Sequence, residues 1–312
     1  TKRMGHYLAS PNKEKVSEEG RYENLEYAAS SMQGWRINME DAHIAQFNIA
    51  KDTHIFGVFD GHGGHEVAKF VTNHFVDELL KNASFKNAAY EKALSETFLR
   101  MDEILKTPEG RKELTAIQLG DSKGHASSEA ESYAGCTAVV ALIVQNTVYV
   151  ANAGDSRCVL AKKNEAVPLT EDHKPDNDEE RRRIEKAGGG VYEGRINGRL
   201  NLSRALGDFD YKSNHDLAHH EQLVIAVPDI RVQQLSPDDE FLVLGCDGIW
   251  ECLLPKQICD FISAKVNDGK KLTASIEELL DFILAKDTQS GQGYGLDNMT
   301  CIVVKIKNLK SF

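Results

Sequence analysis

The sequence predicts an α+β fold in which antiparallel β-sheets pack against each other and pairs of helices cover their outer faces. Apolar runs at strand spacing occur along most of the 312 residues, and several of them end at an acidic residue beside a glycine. Two pairs of segments instead repeat apolar residues at helical spacing. Amphipathic helices of this kind bury their apolar stripe against a sheet, which places them outside the packed sheets.

Residues 1–20 precede these patterns and are predicted to form a flexible N-terminal segment. Thr1-Lys2-Arg3 is interpreted as an expression remnant, so that Gly5 would follow the initiator Met4. A glycine at that position can accept myristate, but the preferred Ser or Thr four residues later is replaced by Ala9. An unmodified N-terminus is the alternative. A single myristoyl chain would attach the protein to a membrane only weakly and reversibly.

Residues 25–50 have the pattern of a strand, a turn and a second strand. Within them, alternation places Arg36, Asn38 and Glu40 on one side of an extended segment. A surface salt bridge explains an arginine and a carboxylate on one face. A phosphate clamp beside a cation ligand explains them equally well, and sequence position does not decide between the two.

The next apolar run, Ile55–Phe59, ends at Asp60 and is followed by three glycines and His62. Glycine permits tight turns and a close approach of the backbone to a ligand. The imidazole of His62 is a group that titrates near neutral pH. For this stretch alone, an aspartate that caps a turn and an aspartate that binds a ligand are equally good interpretations.

Two amphipathic helices are predicted after this stretch, over residues 68–79 and 90–105. Residues 107–133 lose the periodicity and are predicted to form a loop. A hairpin is then predicted, with strands over 136–144 and 147–151. The second strand of this hairpin leads to Asp155.

Towards the end of the chain, an apolar strand again runs into an aspartate, Asp247, and a further strand begins just after Asp297. Between these strands lies the second pair of predicted helices, over residues 258–266 and 272–284. Four strands therefore carry an aspartate at one end, and these carboxylates would repel one another if they gathered without cations. Mg²⁺ and Mn²⁺ prefer oxygen ligands, whereas the scarcity of histidine and cysteine partners disfavours zinc.

The composition argues against several classes of protein. The net charge of −11 argues against nonspecific nucleic-acid binding and against a polybasic membrane surface. No apolar stretch approaches the roughly 20 residues that a membrane span requires. The six cysteines lack metal-ligand spacing and lie mostly in apolar runs, which indicates reduced core thiols in a cytoplasmic or nuclear protein.

Eight motifs, in this order over some 270 residues, make the sequence similar to one enzyme family. They are Ser31-Met32-Gln33-Gly34-Trp35-Arg36 with Met39-Glu40-Asp41-Ala42, Phe59-Asp60-Gly61-His62-Gly63-Gly64, Gly135-Cys136-Thr137-Ala138, Ala153-Gly154-Asp155-Ser156-Arg157, Asp172-His173-Lys174-Pro175, Ser203-Arg204-Ala205-Leu206-Gly207-Asp208, Cys246-Asp247-Gly248-Ile249-Trp250 and Asp297-Asn298-Met299-Thr300. Each motif alone is weak, but the ordered set is specific. The chain resembles the metal-dependent protein serine/threonine phosphatases of the type-2C (PPM) family.

The resemblance implies a four-layer α/β/β/α sandwich, with two central antiparallel β-sheets flanked by pairs of helices. It implies a single catalytic domain over residues 21–312 with a flap near 209–224. It also implies a site for two Mg²⁺ or Mn²⁺ ions. The implied contacts are Asp60 bridging both ions, Asp247 and Asp297 on one ion, the carbonyl of Gly61 on the other, Glu40 through water, and Asp41 behind the ligands.

The implied reaction is the hydrolysis of phosphoserine and phosphothreonine in proteins by a hydroxide that bridges the two ions. Arg36 would hold the substrate phosphate, and His62 would protonate the departing oxygen. Asp155 is implied in a weaker third metal site, for which Glu251 replaces the aspartate usual in the family.

Two further functions remain as alternatives, a small-molecule metal-dependent phosphohydrolase and a catalytically silent signalling scaffold of the same fold. The expected partners are phosphoproteins and not nucleic acid, and the chain is expected to act as a monomer. A membrane would be a partner only if Gly5 were myristoylated.

Overall fold

The computed structural model describes residues 7–120, 133–163, 165–289 and 293–307. Its strands are β1 (Tyr7–Tyr22), β2 (Leu25–Arg36), β3 (Ala42–Ala50), β4 (Thr53–Phe59), β5 (Gly61–His62), β6 (Gly135–Cys136), β7 (Ala138–Val144), β8 (Thr147–Ala153), β9 (Arg157–Lys162), β10 (Glu165–Pro168), β11 (Val191–Tyr192), β12 (Arg195–Ile196), β13 (Leu206–Gly207), β14 (Asp229–Gln234), β15 (Asp239–Gly245) and β16 (Met299–Ile306). Its helices are α1 (Glu66–Lys81), α2 (Ala83–Lys86), α3 (Tyr90–Leu105), α4 (Pro108–Gln118), α5 (Asp178–Lys186), α6 (Asp247–Trp250), α7 (Pro255–Asn267) and α8 (Leu272–Ile283), with a 3₁₀ helix at Phe209–Lys212.

Two antiparallel sheets form the centre of the molecule. The six-stranded sheet has the order β1-β2-β16-β15-β9-β10, and the five-stranded sheet has the order β14-β8-β7-β4-β3. Alternation along β4 shows how they pack, because Phe56 and Val58 belong to the core between the sheets. Ile55 and Phe59 belong instead to the core beneath the helices. The interior strand β4 is therefore buried on both faces.

Helices α7 and α8 pack on the six-stranded sheet, and helices α1 and α3 pack on the five-stranded sheet. Their apolar stripes complete the two cores. The predicted α/β/β/α sandwich with two antiparallel sheets between pairs of helices is confirmed. Among the described residues, none of the helices is long and apolar enough to span a membrane. The six cysteines are free thiols, and five of them are buried, as predicted.

The prediction of a flexible segment over residues 1–20 is wrong for residues 7–20, which lie in strand β1. This strand pairs with β2 along its length, from Tyr22 opposite Leu25 to Tyr7 opposite Arg36. It is an edge strand with mostly exposed side chains, so it carries no apolar alternation to predict it. Residues 1–6, with Gly5, lie outside the described part of the chain, and the myristoylation hypothesis stays a prediction.

The predicted loop over residues 107–133 also contains a helix, α4. Its N-cap Thr107 accepts a hydrogen bond from the backbone N–H of Gly110 at 3.0 Å, and Pro108 occupies the first turn. Only a narrow part of α4, around Leu114, is buried, and this explains the missing periodicity. Residues 121–132 lie outside the described residues.

Candidate metal centre

The strand ends that carry the predicted aspartates meet at one edge of the sandwich, around a cleft of about 550 Å³. Most of the predicted site residues line this cleft, namely Arg36, Glu40, Asp60, Gly61, His62, Asp155, Asp247 and Asp297. Asp41 lies immediately behind it, against Asp60 and Cys246. The structure therefore brings together residues that are more than 200 positions apart in the sequence.

Asp60 is held at the end of β4 by hydrogen bonds between its backbone and Thr137. Its carbonyl accepts a hydrogen bond from the backbone N–H of Thr137 at 2.9 Å, and its N–H donates to the Thr137 hydroxyl at 3.3 Å. Burial raises the pKa of Asp60 well above its usual value, and neighbouring carboxylates raise it further. In order of effect, these carboxylates belong to Asp41, Asp247, Asp155 and Asp297.

Asp247 is the first residue of α6 and Asp297 lies just before β16, and the two segments touch through Gly248. A Cβ on Gly248 would lie 2.0 Å from the carbonyl oxygen of Asn298, so only glycine permits this approach. Burial raises the pKa of Asp247 well above its usual value, and the charges of Asp155 and Asp297 act in the same direction. The close contact with Asn298 explains why the residue after Asp247 is a glycine.

Asn298 connects the segment of Asp297 to the segment that carries Arg36 and Glu40, and no role was predicted for it. Its side-chain oxygen accepts a hydrogen bond from the backbone N–H of Glu40 at 2.9 Å. Its amide nitrogen donates to the carbonyls of Gln33 and Asn38, at 2.9 and 3.0 Å. The residue beside Asp297 therefore fixes the segment that carries Arg36 and Glu40.

Gly61 lies against the same segment. A Cβ on residue 61 would be 2.4 Å from the carbonyl oxygen of Glu40 and 3.1 Å from that of Gly64. The carboxylate of Glu40 also accepts a hydrogen bond from the backbone N–H of Gly64 at 3.3 Å. The glycine-rich stretch after Asp60 is thus packed against Glu40.

Asp41 accepts a hydrogen bond from the Thr300 hydroxyl at 2.7 Å through Oδ2. Its Oδ1 is buried and has no hydrogen-bond partner among the described residues. The ligand atoms of Asp41, Asp60 and Cys246 lie within 4.8 Å of one another. Burial raises the pKa of Asp41 to about 6, although the hydrogen bond from Thr300 opposes this shift.

Asp155 is buried and forms an ion pair with Lys174 through Oδ2. Its Oδ1 is the second buried carboxylate oxygen of the centre without a hydrogen-bond partner among the described residues. Glu251 faces the same pair, and burial raises its pKa while the positive charge of Lys174 opposes the shift. Lys174 belongs to the Asp172–Pro175 motif, but nothing local in that motif predicts its contact with Asp155.

These residues fit divalent cations. Buried carboxylate oxygens without partners among the described residues and carboxyl groups with raised pKa values indicate negative charge that the protein itself neutralises only in part. The donors are carboxylate and carbonyl oxygens, which are the ligands that Mg²⁺ and Mn²⁺ prefer.

Arg36 lies exposed at the rim of the cleft, where it forms an ion pair with Asp297. Its carboxylate partner is therefore Asp297 and not Glu40, the acidic residue that alternation placed on the same face. A guanidinium beside the aspartates is positioned to bind an anion that enters the cleft.

His62 contacts a carboxylate that was not predicted, Asp208, with 2.6 Å between Nε2 and Oδ2. Burial alone would lower the pKa of His62, but the charge and hydrogen bond of Asp208 outweigh it and raise the pKa. A Cβ on Gly135 would lie 2.3 Å from Oδ2 of Asp208 and 2.7 Å from Nε2 of His62. The bare backbone of Gly135 is thus what leaves room for this pair.

Comparisons with known proteins agree with the fold. The family model described as protein phosphatase 2C matches residues 25–291. The probable protein phosphatases 2C 3 and 2C 2 of Paramecium tetraurelia are 53% and 54% identical, over 97% of this chain and 100% of each relative. A crystal structure of a phosphatase from a pathogenic strain of Toxoplasma gondii has a TM-score of 0.74 and 27% identity, over 96% of this chain and 97% of the other.

Proposed function

Because this chain belongs to the protein phosphatase 2C family and is a serine/threonine phosphatase, we propose that it hydrolyses phosphoserine and phosphothreonine in proteins at the carboxylate-lined cleft. The observation that carries the proposal is the convergence of Asp60, Asp247 and Asp297 beside Arg36. In the reaction, water adds to phosphorus and the bond to the serine or threonine oxygen breaks. The products are inorganic phosphate and the free hydroxyl group.

The family is metal-dependent, and we propose that the cleft holds two Mg²⁺ or Mn²⁺ ions. The proposed ligands are Asp60 shared by both ions, Asp247, Asp297, the carbonyl of Gly61, and Glu40 through water. Such ions lower the pKa of water to near neutral and neutralise phosphate charge. Asp41 contributes a nearby carboxylate, which supports the orientation of Asp60.

Arg36 is proposed to bind the substrate phosphate. Its planar guanidinium can donate to two phosphate oxygens at once, and it is already exposed at the cleft. Its ion pair with Asp297 keeps the side chain over the site before the substrate arrives. The phosphate would then meet a prepositioned positive charge.

His62 is proposed to donate the proton that the leaving oxygen requires. A serine or threonine alkoxide is a poor leaving group, so protonation in the transition state accelerates its departure. The raised pKa of His62 favours the protonated form of its imidazole. Asp208 supports this role because it contacts the ring nitrogen Nε2 and stabilises the charged form.

Asp155 is proposed to take part in a weaker third metal site. Its buried Oδ1 has no partner among the described residues, and Glu251 is near. However, Lys174 already supplies one positive charge to Asp155. We therefore expect a third ion to bind more weakly than the first two.

The test is the release of phosphate from a phosphothreonine peptide with Mn²⁺, with and without EDTA. We expect activity that EDTA abolishes and that okadaic acid leaves unchanged. Hydrolysis of small phosphometabolites in preference to the peptide would instead support the small-molecule phosphohydrolase. Failure to hydrolyse even an aryl phosphate with Mn²⁺ would support the silent scaffold. A cytoplasmic or nuclear location and a monomeric state stay predictions. The predicted domain limit at residue 21 does not agree with strand β1, which adds residues 7–20 to the six-stranded sheet.

A further inference from the structure

We propose that a buried ion pair outside the cleft, Asp102 with Lys212, positions Asp208 and through it the ring of His62. Asp102 lies on helix α3, and Lys212 ends the 3₁₀ helix that opens the predicted flap. Neither residue lines the cleft. The inference rests on the proposed function, because it assigns a positioning role in the same reaction.

The ion pair joins α3 to both sides of the turn that carries Asp208. The Nζ of Lys212 lies 2.6 Å from Oδ2 of Asp102 and donates to the carbonyl of Ala205 at 2.7 Å. Oδ1 of Asp102 accepts a hydrogen bond from the backbone N–H of Gly207 at 2.9 Å. The side chains are buried, with only 6% of Lys212 and 12% of Asp102 exposed.

The turn needs such support because it contains two successive left-handed residues. Gly207 has φ 77° and Asp208 has φ 52°, a conformation that costs energy for a residue with a side chain. On the cleft side, Asp208 donates its N–H to the carbonyl of Ala134 at 3.2 Å. On the other side, Asp102 holds the N–H of Gly207, so the turn is fixed from both directions.

Asp208 transmits this geometry to the cleft. Its carboxylate is buried and contacts Nε2 of His62 at 2.6 Å. Few alternatives are open to it, because Gly135 packs directly against both groups. A shift of the turn would therefore move the carboxylate and change the orientation of the His62 ring.

A stabilising role alone explains this ion pair less well. Burying two charges is costly, and the mutual attraction of a buried pair often only balances that cost. Charge-assisted hydrogen bonds do, however, impose direction on the groups that they join. Lys106, the residue that caps the C-terminus of α3, packs its ammonium 4.7 Å from the centre of the Phe209 ring, so the 3₁₀ helix has a second contact at the end of that helix.

The experiment measures kcat of the full chain with Mn²⁺ on a phosphothreonine peptide and on p-nitrophenyl phosphate. Proton donation matters for the alkyl oxygen and little for the nitrophenolate, which leaves unprotonated. For Lys212→Met we expect about a 10-fold loss on the peptide and less than about a twofold loss on the aryl phosphate. Lys186→Met is the matched control, because it breaks an exposed ion pair to Glu221 in the flap, and we expect it to behave as wild type.

A double-mutant cycle with Asp208→Asn separates positioning from general loosening. If Lys212 acts through Asp208, Lys212→Met should cause no further loss on the peptide in the Asp208→Asn background. Should Lys212→Met not fold, as judged by circular dichroism, Asp102→Asn takes its place in the cycle. This substitution keeps the side-chain shape and the acceptor for Gly207.

The outcomes separate a failure of the positioning role from a failure of the proposed function. Equal losses on both substrates in a folded variant, or additive losses in the cycle, would overturn the positioning role while leaving the phosphatase intact. A wild-type chain that hydrolyses neither substrate would overturn the proposed function and the inference with it. A loss confined to the peptide, absent in the Asp208→Asn background, supports the inference.

Discussion

Substitution of Gly61 by alanine tests how the metal centre is built. The added Cβ would lie 2.4 Å from the carbonyl oxygen of Glu40, whereas ordinary contacts of a Cβ begin at 3.4 Å. The two loops must therefore separate by about 1 Å, because the obstructing atom belongs to the backbone and cannot rotate away. Gly61 and Glu40 are both proposed to act at the metals, so this separation occurs within the site.

The expected result is a large loss of activity with a smaller loss of stability. A displacement of about 1 Å in a catalytic site can cost about 100-fold in rate, and overpacking of this kind costs about 1–3 kcal/mol of folding free energy. We therefore expect kcat/KM on the phosphothreonine peptide to fall about 100-fold in a protein that remains folded at 25 °C. The Mn²⁺ concentration for half-maximal activity should also rise, because the carbonyl of Gly61 is displaced.

The assay is a Mn²⁺ titration of peptide hydrolysis together with calorimetric Mn²⁺ binding. Gly190→Ala is the control, since its Cβ would meet only the end of the exposed Tyr192 ring, which can swing aside. Gly61→Ala with wild-type kcat/KM and wild-type Mn²⁺ affinity would refute the argument that this close approach sets the geometry of the centre.

Three further results are expected. Asp60→Asn should lose at least about 100-fold in activity and weaken Mn²⁺ binding in calorimetry while the circular dichroism spectrum is kept; turnover like that of wild type would contradict its bridging role. His62→Gln should lose more activity on the phosphothreonine peptide than on p-nitrophenyl phosphate, and equal losses would argue against proton donation. Burial against Tyr22 and Phe47 lowers the pKa of His54, so the unfolded chain takes up the proton first as pH falls below about 6.5 and stability decreases there. His54→Asn should therefore show a smaller drop in the urea midpoint between pH 7 and pH 5 than wild type, and an identical drop would contradict this assignment.

Much of the site could be predicted because its residues stand at strand ends and beside glycines. Asp60 and Asp247 follow apolar runs, and strand ends in a sandwich lie at its edges. Repulsion among carboxylates then pointed to cations. The structure brings these residues into one cleft, while their roles as ligands stay predictions.

Partners from distant parts of the chain could not be predicted in this way. Asp208 is 146 positions from His62, and Asn298 is 258 positions from Glu40. Each lies in a recognisable motif, but a motif does not indicate which side chain it will contact. The ion pair of Asp102 with Lys212 was missed for the same reason.

The wrong predictions concern segments with few buried side chains. Strand β1 pairs its backbone with β2 but exposes most side chains, so its sequence resembles that of a flexible segment. Helix α4 depends on its cap at Thr107 and on one buried leucine, Leu114, rather than on a continuous apolar stripe. Periodicity detects buried faces, and these elements have little buried face.

The sequence by itself determined the local features of the chain. Strand and helix periods, glycines and acidic strand ends could be recognised because they depend only on neighbouring residues. This was enough for the fold class and the family, whereas the binding of Mg²⁺ or Mn²⁺ stays a prediction. Burial and long-range pairing depend on how strands far apart in the chain pack together. Only the tertiary structure therefore decided which carboxylates are buried, that Asp208 faces His62, and that Arg36 pairs with Asp297.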